Sequence, residues 1–142
     1  VLNEDGTDQC LNKRYPSVLD LFVRRFAPNF LLPLLKSRLD RYEMRDIGYD
    51  RMYDVEAMSG AFMLCRTAVL KKVGGFDPRF FLYFEDFDLS RRVRREGHRT
   101  VYCPEVSVTP YWTRGAHRNM RMAAIFVVSM YRYFSRWGWK WL

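Results

Sequence analysis

The sequence predicts an α/β or α+β half-domain, a small mixed sheet flanked by three to five helices. Three observations predict it. Apolar residues recur at helical spacing in stretches that open or close on recognisable caps, as in SVLDLFVRRF and TAVLKKVGG. The run from Val55 to Cys65, VEAMSGAFMLC, is bounded by polar residues and has the composition of a strand buried on both faces. Thr100-Val101-Tyr102-Cys103 and Val106-Ser107-Val108 read as short strands on either side of Pro104.

In chain order, residues 1–14 are polar and contain Gly, Asp and Asn, which suits a loop or a frayed edge. Ser17 followed by Asp20, with Leu19, Leu21, Phe22 and Phe26 spaced for one face, predicts an N-capped helix over 17–26, ended by Pro28. Phe30, Leu31, Leu32, Leu34, Leu35 and Leu39 form a second apolar stretch in which Pro33 fits a first helical turn, where its missing N–H costs nothing. Arg41 to Asp54 is a mixed, charged linker punctuated by Gly48 and is expected to be mobile. Within the apolar run, Gly60 implies a bulge or a close backbone approach. Arg66 to Val73 predicts a short helix with Ala68, Val69, Leu70 and Val73 inward and Gly74 as its left-handed cap. Asp86 to Glu96 predicts a helix with an acidic first turn and with Arg91, Arg92, Arg94 and Arg95 near its end, a charge order that complements the helix dipole. A last helix is expected over 117–136. The reading divides the chain at 1–53, 54–116 and 117–142.

Length and composition bound the function. With 142 residues, 49% of them apolar and 17% aromatic, the chain can bury about 70% of its unfolded surface, and disordered or collagen-like architectures are excluded. A formal charge of +8 favours anionic partners such as phosphate groups, nucleic acid or an acidic lipid surface. Cys10, Cys65 and Cys103 are widely spaced, with no CxxC pair, which argues against a disulfide scaffold or a zinc site. The first residues show no initiator Met and no signal-peptide pattern, and read as the middle of a longer chain. The longest near-apolar run, Met122 to Tyr131, is too short to span a bilayer.

The most informative stretch is an ordered series: Ser59-Gly60-Ala61, Gly74-Gly75-Phe76-Asp77, Phe80-Phe81-Leu82-Tyr83-Phe84-Glu85-Asp86-Phe87-Asp88-Leu89 and Arg91-Arg92-Val93-Arg94-Arg95-Glu96-Gly97. It closely resembles the C-terminal half of the family 2 glycosyltransferases, which have the GT-A fold and use nucleotide-diphospho-sugars, and in particular their bacterial rhamnosyltransferase-like branch. Tyr102-Cys103-Pro104-Glu105, Trp112-Thr113-Arg114-Gly115 and Tyr133 to Gly138 resemble the same branch. The match is close over 54–138 and loose over 1–53. It implies a chain that makes cell-surface polysaccharide by inverting sugar transfer, with residues 54–116 as its acceptor-side subdomain.

Sugar transfer with inversion requires a base within reach of the acceptor hydroxyl and a charge clamp for the departing diphosphate. The resemblance implies Asp86 as that base, with Glu85 beside it either orienting the acceptor or capping the helix. The helix start is expected to hold the Asp86 pKa down. Ser59, Gly60 and Ala61 match the small-residue motif beside the acceptor and donor, where a missing side chain admits a ligand. Arg114, following Trp112, is the candidate diphosphate clamp, because a guanidinium matches two phosphate oxygens. The resemblance implies a divalent metal, Mg or Mn, in the full-length enzyme, held by an Asp-x-Asp upstream of this chain. Asp86-Phe87-Asp88 spells the same pattern, but positions i and i+2 on a helix diverge, and Asp88 is better placed as an i,i+4 partner of Arg92. Where the family often carries a metal-ligating histidine, this sequence reads Val108-Thr109-Pro110-Tyr111; His98 and His117 are ordinary polar positions. This chain alone is expected to hold no metal.

Residues 106–142 contain no acid, and arginines alternate there with Met122, Ile125, Phe126, Val127 and three tryptophans after Phe134. That is the composition of a segment lying on an anionic membrane surface, and equally of a helix packed on the core with its arginines reaching outward. The expected partners are a nucleotide-diphospho-sugar donor, a saccharide or lipid-linked acceptor, an anionic membrane surface and a second copy of the chain through an incomplete sheet. Nucleic acid is not expected. The expected location is cytoplasmic, peripheral on the inner face of the cell membrane. The competing reading is a non-catalytic basic module that binds an anionic membrane or nucleic acid. On the first reading the isolated chain carries the base without the donor site and is inactive alone.

Overall fold

The computed structural model of the chain describes residues 1–3, 5–28, 30–109 and 120–142. Helix α1 (Val18–Phe26) starts where the capping residues place it. Ser17 Oγ accepts the Asp20 N–H at 3.1 Å while the Asp20 carboxylate accepts the Ser17 N–H at 2.9 Å, a reciprocal capping box. The next two donors, the N–H groups of Val18 and Leu19, go to the carbonyls of Lys140 and Trp141, so the C-terminal strap satisfies groups that helix geometry leaves open. Helix α2 (Leu32–Tyr42) takes Pro33 in its first turn. Its Arg38 reaches Asp20 at 2.6 Å and Ser17 Oγ at 3.0 Å, fastening α2 to the cap of α1.

The linker expected to be mobile is tied down instead. Tyr42 and Met44 are buried, Arg14 grips both oxygens of Asp46 at 2.9 Å, and the Tyr49 hydroxyl donates to the Glu43 carbonyl at 2.9 Å. Strand β1 (Tyr53–Asp54) then pairs antiparallel with a later strand, β2 (Val101–Tyr102), placing Tyr53 opposite Tyr102 and Asp54 opposite Val101. These two strands are the sheet among the described residues.

The expected strand over 55–65 does not form. Val55 and Ala57 are buried, and Ala57 exchanges both backbone hydrogen bonds with Lys13, but the chain then turns outward and Leu64 is 93% exposed. An apolar run cannot reveal by itself whether a neighbouring strand lies within reach of its backbone, and here the partner beyond Ala57 is a helix. Residues 106–108 likewise form no strand; the Val108 carbonyl accepts the Leu2 N–H at 3.0 Å.

Helix α3 (Thr67–Val73) ends on Gly74 at φ 78°, the left-handed cap its sequence predicts. Ala68, expected inward, is exposed. Helix α4 (Glu85–Arg95) carries acids in its first turn and Arg92, Arg94 and Arg95 in its last. Helix α5 (Met120–Trp137) packs Tyr133 and Phe134 into a cluster with Leu21, Tyr42, Phe80 and Phe84. Trp139 stacks on Phe134, and Trp141 stacks on Trp139, which carries the core out to the strap that caps α1. Of the two readings of the basic tail, packing on the core therefore describes one face of α5. Its other face exposes Val127, Val128 and Tyr131. No helix among the described residues is long and apolar enough to cross a membrane.

Candidate active site

The site begins with an unusual helix entry. Tyr83 and Phe84, immediately before α4, have φ of 68° and 67°, the left-handed region that bulky residues seldom occupy. Both are held there by aromatic packing, Tyr83 edge-on to Phe126 and Phe84 between Phe126 and Tyr133. The Ser129 hydroxyl also donates to the Leu82 carbonyl at 2.8 Å, pinning the approach to α5. The consequence is a fixed first turn, in which the orientations of Glu85 and Asp86 are set by the core rather than by a loop.

Asp86 then meets the segment 26 residues earlier. Its Oδ2 accepts the Gly60 N–H at 3.2 Å and its Oδ1 accepts the Phe87 N–H at 2.8 Å. The contact belongs to a larger pattern. Asp86, Ser90 and Arg94 stand four residues apart on one stripe of α4. Ser90 Oγ accepts the Met58 N–H at 3.2 Å, and Arg94 donates to the Val55 carbonyl at 3.1 Å. Side chains of α4 thus supply hydrogen bonds at Val55, Met58 and Gly60, while backbone groups of Lys13 and Thr100 bond Ala57 and Val55, so the segment is held at several points without forming a strand. Ser59 and Ala61 flank the contact, with Ser59 half-buried and Ala61 exposed. A Cβ at Gly60 would stand 3.8 Å from the Asp86 Cβ, an ordinary contact, so the fold does not itself require glycine there.

The electrostatics differ from the expectation for a helix start. Burial raises the Asp86 pKa above the ordinary carboxylate value, outweighing the N–H groups of Gly60 and Phe87, which favour the ion. Burial, with Asp86 as a like-charged neighbour, raises Glu85 as well. Glu85 Oε2 is buried without a hydrogen-bond partner. A carboxyl with an elevated pKa is a stronger base when ionised, and an unpaired buried oxygen is an acceptor waiting for a donor.

Asp88 faces away from both. It is fully buried, with Oδ2 receiving Arg92 at 2.8 Å and Oδ1 receiving Trp137 Nε1 at 2.9 Å and Arg136 at 3.1 Å. Both oxygens are committed to α4 and α5, so Asp86 and Asp88 do not converge on one ion. Among the described residues no group of three His, Cys, Asp or Glu side chains could hold a metal. Trp112 and Arg114, the expected substrate-binding pair, lie outside the described residues, as does His117.

Sequence reasoning missed three contributors, Ser90, Arg94 and Lys13. The spacing of Asp86, Ser90 and Arg94 was visible, but nothing local shows what the stripe faces. Lys13 is the third: buried, 3.3 Å from Glu43, donating to the Cys10 carbonyl at 2.6 Å, and joined to Ala57 by two backbone bonds. Burial, together with nearby Arg24, pulls its pKa down to about 8, while Glu43 opposes the shift.

Residues 20–125 match the family described as "Glycosyltransferase like family 2". The N-acetylglucosaminyl-diphospho-decaprenol L-rhamnosyltransferase of Mycobacterium tuberculosis is 43% identical over 62 residues, 44% of this chain and 20% of that protein. Rhamnosyltransferase WbbL of Escherichia coli K12 is 30% identical over 109 residues, 77% of this chain and 36% of that protein. The aligned segments thus span between a fifth and a little over a third of these relatives. No solved structure matches the chain significantly. With the family match running through the loop-to-helix entry that carries Glu85 and Asp86, and with an α/β structure consistent with the GT-A fold, the chain belongs to glycosyltransferase family 2.

Proposed function

We propose that this chain is the acceptor-side part of an inverting glycosyltransferase that moves a sugar from a nucleotide-diphospho-sugar to a saccharide or lipid-linked acceptor, with Asp86 as general base. The observation that carries the reading is the Asp86 carboxylate held on the Gly60 N–H in a partly buried setting that raises its pKa. In the reaction, the acceptor hydroxyl oxygen attacks the anomeric carbon of the donor while its proton passes to an Asp86 oxygen. The bond from that carbon to the diphosphate oxygen breaks, and the electron pair leaves with the nucleoside diphosphate. Attack opposite the leaving group inverts the anomeric centre. Glu85, beside Asp86 in the same fixed first turn, orients the acceptor. Ser59, Gly60 and Ala61 line the approach, and Trp112 with Arg114 serve the sugar and the diphosphate.

The likeness to rhamnosyltransferases supports rhamnose as the transferred sugar, and the name of the mycobacterial relative supports a diphospho-polyprenol-linked acceptor. An acceptor of that kind places the enzyme at the inner face of the cell membrane. A divalent ion remains part of the proposal for the complete enzyme, although Asp86 and Asp88 do not fit it and no step above passes through it. The deciding experiment is sugar transfer by the full-length protein with Asp86→Asn. Loss of transfer with donor binding intact supports the reading, and transfer at the normal rate refutes it.

A further inference from the structure

Among the described residues, the hydrogen bonds that tie the chain between Met58 and Cys65 to the rest of the fold both end on α4. The Gly60 N–H goes to the Asp86 carboxylate at 3.2 Å and the Met58 N–H goes to Ser90 Oγ, also at 3.2 Å. The Ala57 N–H, just before them, points the other way, to the Lys13 carbonyl at 3.1 Å. Beyond Gly60 the segment runs outward, with Phe62 and Leu64 both exposed. The two bonds keep step with each other. Four residues of helix rise about 6 Å and two residues of extended chain cover about 6.6 Å, so a Met58 amide seated on Ser90 brings the Gly60 amide to Asp86.

The two tethers respond differently to the reaction proposed above. As Asp86 takes up the acceptor proton it loses its charge, and the bond it accepts from Gly60 falls from charge-assisted to neutral. Ser90 has no charge to lose, and at 1% exposure it is shielded from competing water.

We propose that Ser90 is a positioning residue for the base: its hydroxyl holds residues 58–60 on α4 throughout the reaction and so keeps the Gly60 N–H on the Asp86 carboxylate. The inference rests on the reading of Asp86 as base and adds the residue that sets its backbone partner in place. Burial raises the Asp86 pKa, and the N–H groups of Gly60 and Phe87 and the Lys13 ammonium oppose the rise. Ser90 bears on the first of these opposing groups alone. Glu85 on the same helix and Tyr42 at the end of α2 also interact with Asp86, and neither touches Ser90. Loss of the Ser90 hydroxyl therefore frees the Gly60 amide and lifts the Asp86 pKa further.

The test compares Ser90→Ala with wild type in the full-length protein. Hydrogen exchange over 58–65 is expected to quicken about tenfold, the scale of one lost buried hydrogen bond, and the acidic limb of kcat/KM is expected to move to higher pH. Ser90→Thr, which keeps the hydroxyl, returns both toward wild type. Ser90→Cys, close to serine in size but a weak acceptor, carries the comparison if the alanine variant does not fold. Thr100→Val is the control. It deletes a buried hydroxyl that donates to the Val55 carbonyl at the other end of the segment, and it is expected to lower the melting temperature without moving the limb. Unchanged exchange in Ser90→Ala overturns the proposal. So does a limb that Thr100→Val moves as far as Ser90→Ala does, because the effect is then a general loosening. Exchange needs no turnover, so this readout fails separately from the Asp86→Asn test of the base. Quicker exchange with an unmoved limb, in an enzyme that Asp86→Asn inactivates, likewise overturns the positioning role.

Discussion

The indole N–H of Trp137 donates to a carboxylate oxygen of Asp88 at 2.9 Å, joining the end of α5 to the first turn of α4. Arg92 and Arg136 close on the same carboxylate. In Asp86-Phe87-Asp88, two acids separated by one residue therefore have different surroundings. Asp88 is consumed by the fold, and Asp86, bound only to two backbone N–H groups among the described residues, is the acid proposed as base. Removing Asp88 leaves two guanidinium groups and an indole facing an empty, buried position. Asp88→Ala is expected to cost about 3–5 kcal/mol, the usual consequence of breaking a buried ion pair on one side. Urea unfolding measures it, and a loss under about 1 kcal/mol would show that the network contributes little to stability.

Asp86→Asn should have the reverse profile. The amide oxygen can keep only one of the two N–H groups that the carboxylate accepts, from Gly60 or from Phe87, so the fold is kept at the loss of one local hydrogen bond, but the base is gone and transfer is expected to fall by about 10²–10⁴-fold. Removing the buried charge offsets that loss, so stability at neutral pH is expected to stay close to that of the wild type. The folded-state pKa of Asp86 lies above the unfolded value, so the native state binds the extra proton between those two values and stability declines as pH increases through that window. Asparagine removes the decline. Parallel thermal melts and rate measurements separate the two effects.

The same shift predicts the acidic limb of the pH–rate profile. If Asp86 must be ionised to take the acceptor proton, kcat/KM falls as pH drops through its raised pKa, above the range of an ordinary aspartate. An acidic limb centred at or below the unperturbed carboxylate value would assign the titration to another group.

What the sequence disclosed follows from how local each signal is. Ser17 with Asp20, Pro33 and Gly74 each act within one helical turn, and all three stand where their spacing places them. The run from Val55 to Cys65 looks like a strand because its apolar composition is local, but its hydrogen bonds depend on Asp86, Ser90 and Arg94, which lie 30 or so positions away. Phe84 at φ 67° was not legible either, since an aromatic residue in that region is stable only when a packed cluster holds it. The pairing of Gly60 with Asp86 was reachable only through the family resemblance, because neither residue carries a signal about the other.

Gly60 permits a test that separates ligand space from folding. Its φ lies outside the left-handed region, and a Cβ there meets nothing closer than 3.8 Å. Gly60→Ala is therefore expected to keep the melting temperature of the wild type. If the small side chain serves an approaching acceptor, Gly60→Leu should still fold, because the residue is exposed, but should raise KM for the acceptor with less effect on kcat. Unchanged kinetics in Gly60→Leu would mean that the acceptor does not pass this segment.

Lys13 makes the last prediction, concerned with pH and stability rather than turnover. Its folded-state pKa of about 8 lies below the ordinary lysine value of 10.5, so between these values the unfolded chain binds a proton that the native chain does not. Stability contributed by Lys13 is therefore lowest below pH 8 and recovers as pH rises toward 10. Lys13→Met should remove that recovery, and it should be tolerated at neutral pH because Arg24 at 3.6 Å and Arg45 at 2.9 Å remain to hold Glu43. The measurement is the difference in unfolding free energy between wild type and Lys13→Met at a series of pH values. The gap should move in favour of wild type across pH 8 to 10. A constant gap would show that Lys13 stays fully charged in its buried position and that Glu43 offsets its desolvation completely.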